Sequence, residues 1–297
     1  MIPDGWKEGC VSEVVASLEA GASVNGEDRP KANGEIGVLK VSAVSYSRFD
    51  PTAYKTVVNS YEVGRLTVNP KQGAVIVSRA NTSALVGASV YIEKDYPDLF
   101  LPDKLWRITT TQDYNAKWLS HMLSTRAMRA RIANRASGTS GSMKNIAQDA
   151  FLTLRILVPP LPEQREIAEI LSTWDRAIGT VEQLITALQA RKRGLMRQLL
   201  IPREGTGQPA ARFPQFQDKW KIERLDCVFD RVTRKNAVGN SNVLTASGQH
   251  GLVSQIEYFN RSVAGVSLED YYLIERGEFA YNRSSSDGYP YGAIKQL

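Results

Sequence analysis

The sequence predicts an α+β protein: a β-rich α/β globule, then one long coiled-coil-type helix, then the start of a second globule like the first. Three observations predict it. Short β-branched runs bounded by Gly, Pro and Asn fill the N-terminal region, and an apolar stripe of helical period then runs from 162 to about 201. Beyond a linker rich in Gly and Pro, fragments of the first region recur in the same order. The boundaries are 1–160 for the first globule, 161–203 for the helix and 204–297 for the partial second globule.

Residues 37–42, 66–68 and 74–78 read as strands. From about 114 to 135 the period changes. Trp118, Leu119, Met122, Leu123, Met128 and Ile132 recur near helical spacing, with Arg126, Arg129, Arg131 and Arg135 between them, which predicts one helix. The small polar run at 137–142 reads as the linker ending it, and 154–158 as a strand stopped by Pro159 and Pro160.

The long helix is the most regular element. Pro162 suits a first helical turn, and Glu163, Glu166 and Glu169 place negative charge at the positive end of the dipole. Arg191, Lys192, Arg193 and Arg197 complement the other end, and Pro202 closes it. Ile167, Ile170, Trp174, Ala177, Val181, Leu184 and Leu188 alternate three and four apart, and Leu171, Ile178 and Ile185 widen the stripe. Such a rod, about 60 Å long at 1.5 Å per residue, exceeds ordinary globular helices, so it is expected to pack against another long helix.

Residues 204–211 read as a linker, after which the chain begins again. Trp220-Lys221 echoes Trp6-Lys7, 243–247 echo 38–42, 277–283 echo 73–79, and Gly292-Ala293 echoes Gly87-Ala88. On this repeat the second copy stops at Leu297 about halfway, before any second rod.

Composition excludes several classes. A hydrophobic content of 42% supports buried cores, and a net charge of +6 is compatible with nucleic acid without requiring it. Cys10 and Cys227 are far apart and outside any C-x-x-C spacing, so each reads as a small buried hydrophobe in a reduced, cytoplasmic setting. No signal-peptide pattern or run of 18 apolar residues appears, so no membrane segment is expected. Phosphate-loop, dinucleotide and H-E-x-x-H patterns are absent, and the two histidines, His121 and His250, sit in no nucleophile–base pattern. Asn69-Pro70 runs into Lys71, and Pro159-Pro160 follows a valine, so the N-P-P-Y-type loop by which amino-methyltransferases resemble one another is missing. No Pro-Asp pair is followed by the acidic-x-Lys tripeptide of many nucleases. No catalytic or metal-binding residue is expected.

One segment carries a family resemblance. Ser137-Gly138-Thr139, Lys144-Asn145-Ile146, Phe151-Leu152 and then the unbroken run from Ile156-Leu157-Val158-Pro159-Pro160-Leu161-Pro162-Glu163-Gln164-Arg165 through Glu166-Ile167-Ala168-Glu169-Ile170-Leu171, with Asp175 beyond, resemble a junction in type I restriction-modification specificity subunits. There a target-recognition domain ends in a strand, and a P-P-L-x-E-Q-x-x-I-A-x-I-L opening starts a long helix. Residues 73–88 are a looser match. The resemblance implies a non-catalytic DNA-specificity subunit with two recognition domains and two helices that pair antiparallel and space the DNA half-sites. It also implies two modification (methyltransferase) subunits as partners, and restriction subunits through them, with S-adenosylmethionine, ATP and Mg bound by those partners. The shorter length here leaves two explanations, a truncated product or a half-type subunit whose helix pairs with its own copy.

For such a reader, the candidate phosphate binders are Lys40, Arg48, Lys55, Lys71 and Arg79, and the candidate base readers are Ser42, Tyr46, Ser78, Asn81 and Thr82. The candidate partner-binding residues of the helix are Ile167, Ile170, Leu171, Trp174, Ile178, Val181, Leu184 and Leu188. Two other readings compete: a coiled-coil interaction protein without DNA specificity, and the detached recognition half of a fused restriction–methylation enzyme.

Overall fold

The computed structural model describes residues 2–140, 143–261, 263–265, 267–284 and 292–297. Two units partition the chain, Met1–Gly194 and Leu195–Leu297. The first opens with β1 (Lys7–Cys10), the one-turn helix α1 (Val11–Val14) and β2 (Val15–Ala20). Next come β3 (Ile36–Leu39), β4 (Val44–Ser45), β5 (Arg48–Phe49), β6 (Tyr54–Val57) and the short helix α2 (Ser60–Gly64). They are followed by β7 (Val75–Ser78), β8 (Ala80–Asn81), β9 (Ser89–Tyr91), β10 (Leu99–Phe100) and β11 (Leu105–Thr110). Two helices come next, α3 (Ala116–Ser124) and α4 (Arg126–Arg135), then β12 (Ser137–Ser140) and β13 (Met143–Asn145). The elements α5 (Gln148–Leu152), β14 (Arg155–Val158) and α6 (Leu161–Leu200) lead out of the globule.

The central sheet is antiparallel, in the order β2-β11-β7-β9. A smaller sheet, β10-β3-β6, is mixed, with β10 parallel to β3. The central strand β7 is buried at all four positions because both faces are covered, and side chains alternate across a strand. Val75 and Val77 join Trp106, Ile108, Leu119, Leu123, Met128 and Ile132 beneath α3 and α4, while Ile76 joins Leu39, Val90, Ile92 and Leu105 on the other side.

Four sequence expectations are corrected. The helix expected over 114–135 is two helices, because Thr125 has extended backbone and its hydroxyl accepts from Met128 N–H, capping α4. The break lets both apolar stripes turn onto the sheet. The linker expected at 137–142 is instead strand over Ser137–Ser140, paired with β13; Gly141 and Ser142 lie outside the described residues. Leu66 and Val68 are buried, yet 66–68 is not a strand. Their alternation reports burial, which a turn-rich segment supplies without ladder partners. Neither cysteine is a buried hydrophobe, Cys10 being half-buried and Cys227 exposed.

In the second unit, β15 (Leu244–Ser247) pairs with β16 (Gly251–Ser254), α7 (Gln255–Phe259) follows, and β17 (Phe279–Asn282) pairs with β18 (Ala293–Gln296). Gly277 and Gly292 both have positive φ, +95° and +89°. Their sequence counterparts Gly73 and Gly87 do too, at +86° and +80°. Only glycine enters that region without cost, so the two copies share backbone as well as sequence at these turns.

Candidate nucleic-acid interface

The β4–β5 hairpin turns through Tyr46 and Ser47. Ser47 has φ +57°, a left-handed conformation uncommon outside glycine, and its N–H donates to the Ser89 carbonyl at 3.0 Å. The Tyr46 hydroxyl donates to the Val86 carbonyl at 3.4 Å, and the Arg129 guanidinium from α4 lies over the Tyr46 ring, 3.8 Å from its centroid. The adjoining loop, 81–87, is self-bonded. Asn81 Oδ1 accepts from Thr82 N–H at 2.8 Å, and the Thr82 carbonyl accepts from Leu85 and Val86. Gly87 lets this loop press on α4, since a Cβ there would sit 2.5 Å from Ile132 Cγ2. Arg79, just past β7, stands over the Trp106 ring and donates from Nε to Asn145 Oδ1 at 3.3 Å.

The fold therefore gathers Tyr46, Arg79, Asn81 and Thr82 with α4 and β13. Other expected residues fall elsewhere. Ser78 is fully buried; its Oγ accepts from Asn81 Nδ2 and its backbone is bonded to Gly87 and Ala88, so it supports the loop and cannot touch a duplex. Lys71 lies in the turn entering β7, at the opposite end of that strand from Arg79. Lys40 is committed to Asp28 at 2.7 Å, and this bond and charge hold the Asp28 carboxyl below the usual carboxylate range. Ser42 and Lys55 are exposed, on the turn after β3 and on β6. Arg48, 74% exposed, is 4.0 Å from Glu182 on α6.

Two contributors escape sequence reasoning. The hairpin residues Lys144 and Asn145 pair with Asn81 and Ala80. The arginines of α4 divide by face. Arg131 donates to the Arg155 carbonyl and Arg135 to the Ala150 carbonyl and Thr153 hydroxyl, whereas Arg126 is exposed and Arg129 meets Tyr46. Their spacing was visible; their neighbours were not.

α6 is anchored by polar side chains. Buried Gln164 donates from Nε2 to the Pro159 carbonyl at 2.8 Å and accepts from Asn115 N–H at 2.9 Å. The Trp6 indole N–H donates to Glu163 at 3.1 Å. Ala168 and Ser172 are also buried. Asp175 and Glu182 continue the same face toward His121 (3.8 Å) and Arg48. Burial pushes the His121 imidazole below its ordinary value, with Asp175 acting the other way and Lys117 adding to the fall. Around the helix from this face, Ile170, Trp174, Ile178, Val181, Leu184 and Leu188 are all more than half exposed. Leu171 is 40% exposed, and Ile167 packs partly on the core of its own globule, so it is less available to a partner than its neighbours.

The globule's loops thus collect amides and cations, and the helix that follows it carries an open apolar seam. A family model described as the type I restriction modification DNA specificity domain matches residues 3–190, and the chain belongs to that family. It is 29% identical over 191 residues to the type I restriction enzyme EcoEI specificity subunit of Escherichia coli, covering 64% of this chain and 32% of that protein. It is 25% identical over 166 residues to the EcoKI specificity subunit of E. coli strain K12, covering 55% and 35%. The crystal structure of the type I restriction-modification S subunit from M. genitalium aligns at 15% identity with a TM-score of 0.48, over 67% of this chain and 46% of that one. The chain thus spans about a third of the length of these curated relatives. Among the described residues, no helix is long and apolar enough to cross a membrane, and no cluster of three His, Cys, Asp or Glu is placed to hold a metal.

Proposed function

We propose that this chain is the sequence-reading, non-catalytic subunit of a cytoplasmic type I restriction-modification assembly. Residues 1–160 act as the first target-recognition domain, 161–203 as the spacer helix, and 204–297 as part of a second recognition domain. The loops around Tyr46, Arg79, Asn81 and Thr82 contact double-stranded DNA. The apolar seam of α6 receives another long helix or the modification subunits. Two of those, and restriction subunits through them, supply methylation and cleavage together with S-adenosylmethionine, ATP and Mg. The observation that carries this reading is the extent of the family match, which takes in both the loop cluster and most of the rod.

Salt titration of duplex binding by the chain with its modification subunits tests it. Phosphate neutralisation makes affinity fall steeply and log-linearly with salt, while a specific reader retains a preferred sequence throughout. Methylation maps of the host with and without the gene would then display the motif. Equal grip on every duplex, or none at low salt, would leave only a coiled-coil interaction protein.

A further inference from the structure

We infer that Arg129 is a specificity-determining residue that reads a guanine, resting on the DNA-reading function proposed above. Of the other arginines near the loop cluster, Arg79 is bonded to Asn145, Arg107 to Glu19 and Asn69, and Arg131 and Arg135 to backbone carbonyls, while Arg48 lies 4.0 Å from Glu182 and Arg126 is exposed at the start of α4. The Arg129 guanidinium has no hydrogen-bond or ion-pair acceptor among the described residues; it lies over the Tyr46 ring, 3.8 Å from the centroid. That contact holds the guanidinium carbon over the ring through cation–π attraction, and the N–H donors, which lie in the guanidinium plane, have no acceptor among the described residues.

The mount is itself fixed. The Tyr46 hydroxyl is bonded to the Val86 carbonyl, the following residue Ser47 holds a left-handed backbone, and its N–H is bonded to Ser89. Strained, over-determined backbone of this kind concentrates at functional sites. The result is a planar fork held on the Tyr46 ring, which is itself tied to the 81–87 loop through the Val86 carbonyl. In the major groove a fork of this shape is matched by guanine, which presents the O6 and N7 acceptors side by side. A phosphate requires only charge, which exposed Arg126 supplies one turn away without a mount. An immobilised plane is what reading a base edge requires.

The test is enrichment from a randomised duplex library by the full chain assembled with its modification subunits, comparing wild type with Arg129→Lys, Arg129→Ala and Arg126→Ala. The expected result is one wild-type motif in which a single G·C position becomes degenerate in both Arg129 variants. Discrimination there should fall about tenfold or more, the range of a bidentate base contact. Arg126→Ala should weaken enrichment at all positions alike. Arg129→Lys keeps the charge, so its loss of discrimination separates the fork from electrostatics, and unchanged thermal unfolding of that variant guards against misfolding. An unaltered motif in both Arg129 variants, or a uniform loss with every position intact, overturns the inference and leaves the DNA-reading function standing. A wild-type assembly that enriches no motif overturns both.

Discussion

Arg79 and Lys117 each stand over an aromatic ring, Trp106 and Tyr91, yet their charges meet different surroundings. Lys117 is paired with Glu93 at 2.9 Å, whereas the hydrogen-bond partner of Arg79 is the neutral amide of Asn145. Arg79 therefore keeps a net charge for a phosphate. Arg79→Ala is expected to weaken binding to a cognate duplex and reduce the salt slope by about one, while Lys117→Ala leaves both nearly unchanged. Equal losses would remove Arg79 from the interface. At this scale the sequence offered residue types without their surroundings. Lys40, Ser78 and Arg79 all sit beside β-branched runs, but Lys40 found Asp28 and Ser78 is buried beneath the loop it supports. No local window contains Asp28 together with the fold that brings it to Lys40.

The element most visible beforehand was α6, whose expected span of 162 to about 201 became Leu161–Leu200. Its end charges and apolar period are local features, set by contacts three and four residues apart. Its seating was hidden, because the face that docks carries Gln164, Ala168 and Ser172 and is not the most apolar one. The two faces should respond oppositely to substitution. Gln164→Ala strands a half-buried N–H and a buried carbonyl and is expected to cost about 1–3 kcal/mol of stability in denaturant unfolding. Replacing exposed Ile170 and Leu184 together by Glu should shift stability by under about 0.5 kcal/mol, the usual limit for surface changes, yet abolish assembly in gel filtration. An unchanged elution profile would remove the seam as an assembly surface. The break at Thr125 shows the converse limit. Periodicity on both sides favoured one helix, and a single capping hydroxyl divided it.

Across the whole molecule, burial is unequal. The first unit carries three apolar clusters, while among its described residues the second unit buries the apolar side chains of Pro209 and Ala293 and forms no such cluster. Local opening follows buried contact, so limited proteolysis should cut first within 203–297 and leave a fragment close to Met1–Gly194. Mass spectrometry of early products checks this; first cuts within β7 or α3 would contradict it. The repeat was legible as four weak echoes in one order, and the left-handed glycines at corresponding turns give two of them a backbone meaning.

By itself, the order of amino acids determined what depends on near neighbours: the rod and its caps, the strand character of β7 and β14, the glycine turns, and the junction motif that marks the family. Only the tertiary structure decided which arginines of α4 meet backbone carbonyls and which meets the Tyr46 ring, which face of the rod is covered, and that Trp6 and Asn115 hold its first turn. Caps and periods act through backbone geometry over a few residues. The partner of a side chain is set by packing between segments far apart in the chain, and no short stretch of sequence contains both ends of such a contact.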